Sequence, residues 1–174
     1  MNDFTQLMFF LAPALLVAIS VYTVLQKMLR NDEAQRNFIL KKTSRQATIT
    51  MRLQAYERLT LFLERISPAS LVLRVHQQNI TSQDFHVLLL SVVREEFEHN
   101  LSQQLYISNE AWETVKAAKE SVIMHINESA AKTNAENSSL ELARLIVESY
   151  TEDGKSNLIQ VAINMLKNEA KKIF

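Results

Sequence analysis

The sequence predicts an all-α protein, with an N-terminal transmembrane helix followed by a cytoplasmic helical bundle of about five helices. Three observations carry that expectation. The run from Leu7 to Leu25, LMFFLAPALLVAISVYTVL, holds no charged residue. The chain has one glycine and two prolines in 174 residues, too little turn-forming material for a sheet built from hairpins. Beyond residue 47, apolar residues recur at the three- and four-residue intervals of amphipathic helices. The expected organisation is an anchor over 1–30, a basic helical linker over 31–47 and a bundle over 48–174.

The apolar run is about 19 residues, or roughly 28 Å of helix at 1.5 Å per residue, against a hydrocarbon core of about 30 Å. A cleaved signal peptide fits less well, because only Asp3 precedes the run where a basic segment belongs, and no small-x-small site follows it. Lys27, Arg30, Arg36, Lys41, Lys42 and Arg45 follow it, against Asp32 and Glu33. The positive-inside rule then puts the short N-terminus outside and the remainder on the cytoplasmic side of an inner membrane. The lipid bilayer is thus the first expected partner. Ala14 and Ala18 have the small-xxx-small spacing that would let two such helices approach as a homo-oligomer. The chain has no cysteine, in keeping with a cytosolic domain. On that topology, the Asn-x-Ser/Thr sequences at Asn79, Asn100, Asn127 and Asn137 are chance occurrences. Lys and Arg balance Asp and Glu at 19 each, so no basic face recommends nucleic acid.

In chain order, Gln26 to Ala47 continues the first helix in a polar, basic register, with Phe38, Ile39 and Leu40 as an apolar patch. From Thr48, the stretch TITMRLQAYERLTLFLERI puts Ile49, Tyr56, Leu59 and Leu63 on one face and Met51, Leu61 and Phe62 behind it, as for a helix central to a bundle. Ser67-Pro68 ends it and opens a short helix over Ala69 to Val75, with serine as N-cap and proline in the first turn. After the polar loop His76 to Ile80, Thr81 or Ser82 caps a helix reaching about Ile107, and Asp84 completes a capping box with Thr81. Ser108 caps the next, whose stripe is Trp112, Val115, Val122 and Ile126. Past the polar connection Thr133 to Asn137, Ser138 and Glu141 form another capping box. That box opens a helix whose inner face is Leu140, Ala143, Val147 and Tyr150. Thr151 to Lys155, around Gly154, is a turn. The last helix, Ser156 to about Ile173, buries Leu158, Val161, Ala162, Met165 and Leu166.

Few residues suggest chemistry. Glu96-x-x-His99 has the spacing of di-iron carboxylate bundles, but no second such pair exists in the chain, and His99 falls about 200° from the apolar centre of its helix. The single glycine excludes a phosphate loop, and no serine sits in a Gly-x-Ser-x-Gly turn. His125, between Met124 and Ile126, is a lone histidine of the kind that packs in a core. No cofactor, metal ion or catalytic residue is therefore expected. The same helical arithmetic turns His86, Asn100 and Gln104 inward, with Glu96 at the edge, and places Arg52 near the middle of an apolar face. Buried amides and a buried guanidinium need partners. Arg52, Tyr56, His86, Glu96, Asn100 and Gln104 are therefore the candidate interhelical polar network or partner site.

RLQAYERLTLFLERISP, Arg52 to Pro68, and EEFEHNLSQQLYIS, Glu95 to Ser108, resemble a family of unknown function found as small single-span proteins in Bacteroidota-type bacteria. The resemblance covers most of the chain. It implies an inner-membrane helical protein and supplies no activity. Arg52, Tyr56, Glu57, Arg58, Glu96, His99, Asn100, Gln103 and Gln104 stand in its motif positions. The expected function is a non-enzymatic, membrane-tethered interaction or scaffold module with a protein partner. The alternatives are a stalk-like structural membrane subunit, and a metal- or ligand-binding bundle enzyme using Glu96, His99 or His86.

Overall fold

The computed structural model describes residues 3–152 and 157–173, with the side chains of 15–28, 35, 36, 39–150 and 158–173. The described residues are helical throughout, joined by short loops, and form no strand. The elements are α1 (Asp3–Ile66), α2 (Pro68–Val75), α3 (Ser82–Asn100), a 3₁₀ turn (Leu101–Leu105), α4 (Asn109–Ala131), α5 (Ser139–Glu152) and α6 (Asn157–Lys171). The chain divides into two units, Met1–Thr48 and Ile49–Phe174.

The first unit is the leading part of α1, and all its described side chains are exposed. Here the transmembrane expectation is corrected. No helix among the described residues is long and apolar enough to cross a membrane. The side chains described from the apolar run are those of Leu15 to Leu25. The next turn brings in Gln26 and Lys27. The single-pass, inner-membrane placement with a cytoplasmic domain is withdrawn with it. Leu7 to Ala14, and with them half of the Ala14/Ala18 contact, lie outside the described side chains, and Ala18 is exposed.

The second unit has one core, assembled from the last turns of α1 and every later helix. Ala55, Leu59, Phe62, Leu63 and Ile66 of α1 are sealed, as are Leu71, Phe85, Leu89 and Val93, the α4 stripe Val115, Ala118, Val122 and Ile126, and Leu142, Ile146, Ile163 and Leu166. Phe62, placed behind the helix by its angle, is buried because α1 packs on two sides; Phe97 meets its ring at 5.9 Å and stacks in turn on Trp112 at 5.4 Å. Met51 and Leu61 do face outward. On α5 the inner face is Leu142, Ala143 and Ile146, while Leu140 is exposed. On α6 it is Ile159, Ala162, Ile163 and Leu166, while Leu158 and Val161 are partly exposed. Both expected stripes were rotated by part of a turn because each began from the first apolar residue after the cap.

The ends follow local chemistry. Thr81 accepts from the Asp84 amide at 3.1 Å and Ser108 from the Ala111 amide at 3.0 Å, satisfying donors that a helix start leaves open. Ser67 precedes Pro68 as expected, but its hydroxyl donates back to the Glu64 carbonyl at 2.9 Å and caps nothing. Asn79 takes the left-handed conformation, φ 63°, which asparagine tolerates better than most residues. The loops entering α3 and α5 lie side by side: Ser82 N donates to Asn137 O at 2.8 Å and Ser139 N to Ile80 O at 3.1 Å. The expected turn at Gly154 lies outside the described residues.

Candidate functional site

Arg52 and Tyr56 are one turn apart on α1, so their side chains leave the helix together. Arg52 Nε donates to the Tyr106 carbonyl at 3.1 Å, and Arg52 Nη2 donates to Tyr56 Oη at 3.2 Å. The Tyr56 hydroxyl donates to Glu169 Oε2 of α6 at 3.1 Å. The same carboxylate receives the Ser108 amide at 3.4 Å and the Ser108 hydroxyl. The chain of contacts thus runs from α1 through α6 to the start of α4, where a negative charge is favoured by the helix dipole. Burial raises the Tyr56 phenol above its ordinary value; the bond from Arg52 lowers it, and Glu169 raises it again. The phenol is therefore a neutral donor at physiological pH.

Beside this cluster runs an open groove of about 490 Å³. Leu53, Tyr56, Glu57, Thr60, Leu61 and Glu64 form the α1 wall, and Leu166, Lys167 and Ala170 the α6 wall. Leu61 is 58 % exposed and Leu166 is sealed beneath. The groove therefore has an apolar floor, with Glu57 and Glu64 along one rim and Lys167 on the other.

The remaining expected site residues do not join Arg52 and Tyr56. Glu96 Oε1 accepts from Arg65 Nη2 at 2.6 Å and from Arg74 Nη1 at 3.1 Å, clamping the ends of α1 and α2 to α3. His86 Nε2 meets Asn127 Oδ1 at 2.8 Å across α3 and α4. Asn100 is buried and donates to the Glu96 carbonyl one turn back at 2.7 Å. Gln104 is exposed, and its neighbour Gln103 is buried instead. The inward placement of Gln104 is thereby corrected. Past Asn100 the chain tightens to a 3₁₀ turn, with three residues per turn, so counting at 100° per residue fails there. His99 is exposed. His125 is buried, with Nε2 2.9 Å from the Ile146 carbonyl and its ring against Tyr150. Among the described residues, no three His, Cys, Asp or Glu side chains gather as a metal site would require.

Glu169, Ser108, Arg65 and Arg74 are members of these clusters that sequence reasoning did not place there. Glu169 had a readable signal, since it extends the buried stripe Ile159, Ala162, Leu166 by one more turn. Its partners, 113 and 61 residues away, had none.

A model of a protein family described as "Family of unknown function (DUF7935)" matches residues 2–173. No curated protein and no solved structure matches the chain.

Proposed function

The chain belongs to that family, whose function is unknown, and from its own geometry we propose that it is a non-enzymatic interaction module whose α1–α6 groove docks a protein helix. The observation that carries this reading is the groove itself, with Leu53 and Leu61 beside an acidic rim. Helix-in-groove recognition uses such an apolar floor for affinity and charged rims for orientation. A docking role is further supported by the polar cluster alongside, because its donors are spent on protein acceptors. Arg52, Tyr56 and Ser108 hold three helices in register and offer no free nucleophile or base to a substrate. Among the described residues, no buried side-chain nitrogen or oxygen lacks a hydrogen-bond partner.

A photo-crosslinking amino acid placed at Leu61 in living cells is expected to give a discrete protein adduct. The same residue at exposed Glu113 should give none. Absence of an adduct from position 61 would overturn the reading. A stalk-like structural role is the second reading, favoured by the 64-residue length of α1. It expects adducts along Val17 to Leu25 and none at position 61.

A further inference from the structure

We infer that the occupant of the α1–α6 groove is the same groove of a second copy of this chain, laid face to face so that the α1 wall of each copy meets the α6 wall of the other. The inference rests on the docking reading above and names its partner. Both walls lie within the unit Ile49–Phe174, so the surface is complete in that unit.

The signs of the two rims support it. Glu57 and Glu64 stand on the α1 wall and Lys167 on the α6 wall. The two carboxylates are two helical turns apart on one side of α1. Exposed Lys171 follows Lys167 by one turn on the same side of α6, while Glu169, between them in sequence, is taken by Tyr56 and Ser108. No ion pair among the described residues takes Glu57, Glu64, Lys167 or Lys171. The groove therefore sets an acidic rim beside a basic one, each with its charge unspent, above an apolar floor from which Leu61 stands 58 % exposed.

Opposite rims select both the partner and the axis. A uniformly basic helix would satisfy Glu57 and Glu64 but oppose Lys167, and a uniformly acidic one would do the reverse. A second copy turned about a two-fold axis along the groove exchanges left for right. Glu57 and Glu64 then face the partner's Lys167, and Lys167 faces the partner's Glu57 and the partner's Glu64. Turned about an axis across the groove, the two α1 walls would meet, acid against acid. The axis along the groove thus gives the self-complementarity that an isologous dimer requires, and it takes the exposed Leu61 of each copy out of water.

The test uses the full chain and two rim variants, one Glu57→Lys with Glu64→Lys, the other Lys167→Glu with Lys171→Glu. Sedimentation velocity across a concentration series should show wild type as a dimer whose dissociation constant rises with salt. Each variant alone has two rims of one sign, and its dimer should weaken roughly tenfold or more. An equimolar mixture should recover the dimer, as should a chain carrying all four substitutions, because both symmetric contacts again pair opposite charges. Circular dichroism of each variant should match wild type, and the recovered dimer separately shows that the folds are intact. Leu61→Ser, at an exposed position, reads the apolar contact independently and should also weaken the dimer. A monomeric wild type, a dimer indifferent to the substitutions, or rim variants that do not complement one another would each overturn the inference. Association through the exposed apolar stretch at 15–25 gives the second of these results. An adduct from position 61 to a different protein would leave the docking reading standing without the dimer, and no adduct at all would remove both.

Discussion

Tyr56 shows what a single residue carries in this fold. Its hydroxyl receives from Arg52 and donates to Glu169, so Tyr56→Phe breaks two bonds and leaves a carboxylate one donor short. The expected cost is about 1–2 kcal/mol by urea denaturation; a change under a few tenths would show that the cluster does not hold α6. The phenol has a raised pKa in the folded state, whereas in the unfolded chain it titrates near its ordinary value of about 10. Below that pH both states keep the proton and the stabilisation is fully present. As pH climbs past it, the unfolded state ionises first, so stability falls until the raised folded value is passed. Wild type should therefore lose stability on the alkaline side faster than Tyr56→Phe. Burial raises Tyr150 in the same direction, so Tyr150→Phe should remove a separate part of the slope. Equal alkaline slopes for Tyr56→Phe and wild type would contradict the assignment.

At the scale of elements, two caps differ in what they serve. The Thr81 hydroxyl caps α3 and bonds to Asp84 within its own capping box, whereas the Ser108 hydroxyl caps α4 and also donates to Glu169 on α6. Thr81→Ala is expected to cost about 1 kcal/mol and Ser108→Ala up to about 2 kcal/mol. Ser108→Ala and Glu169→Gln should be non-additive, since they share a contact; simple additivity would place the two residues in separate roles. Both caps were legible in the sequence because each acts within three residues of itself. The Arg52–Tyr56 pairing was half legible, because the two lie one turn apart and a guanidinium on an apolar face needs a partner. The rest was not legible, since the Tyr106 carbonyl that receives Arg52 and the Glu169 carboxylate that receives Tyr56 lie far along the chain. Gln104 was misplaced for a local reason: Asn100 gives its side-chain amide to the Glu96 carbonyl, and beyond it the helix tightens. Glu96 was expected at the edge of the network and instead forms a clamp of its own with Arg65 and Arg74. Those arginines are 44 % and 35 % exposed, so solvent screening should hold the effect of Glu96→Gln under about 1 kcal/mol and make it salt-dependent.

For the whole molecule, composition alone announced helices, since one glycine and two prolines cannot turn a sheet. The packing of those helices depended on which side of each met the others, and the stripe of α4, Trp112, Val115, Val122 and Ile126, was the one read correctly throughout. Every sealed residue of the core falls between Ala55 and Leu166, all within the unit Ile49–Phe174. That unit contains both walls of the groove, the Arg52–Tyr56–Glu169–Ser108 cluster and the Glu96 clamp. A chain beginning at Ile49 therefore keeps every sealed core residue, and the described side chains that it loses are all exposed. Its new helix start places Arg52 in the first turn, where the dipole disfavours a cation by about 0.3–1 kcal/mol. The bonds from Arg52 to the Tyr106 carbonyl and to Tyr56 hold the guanidinium in place against that cost. The 49–174 fragment should accordingly unfold in a single cooperative transition, within about 4–8 °C of the full chain's melting temperature. Within it, Phe62→Ala should cost about 3–5 kcal/mol, because it removes a sealed ring that packs against Phe97. A fragment that melts without cooperativity would mean that residues 1–48 complete the core, and the division of the chain into two units would fail with it.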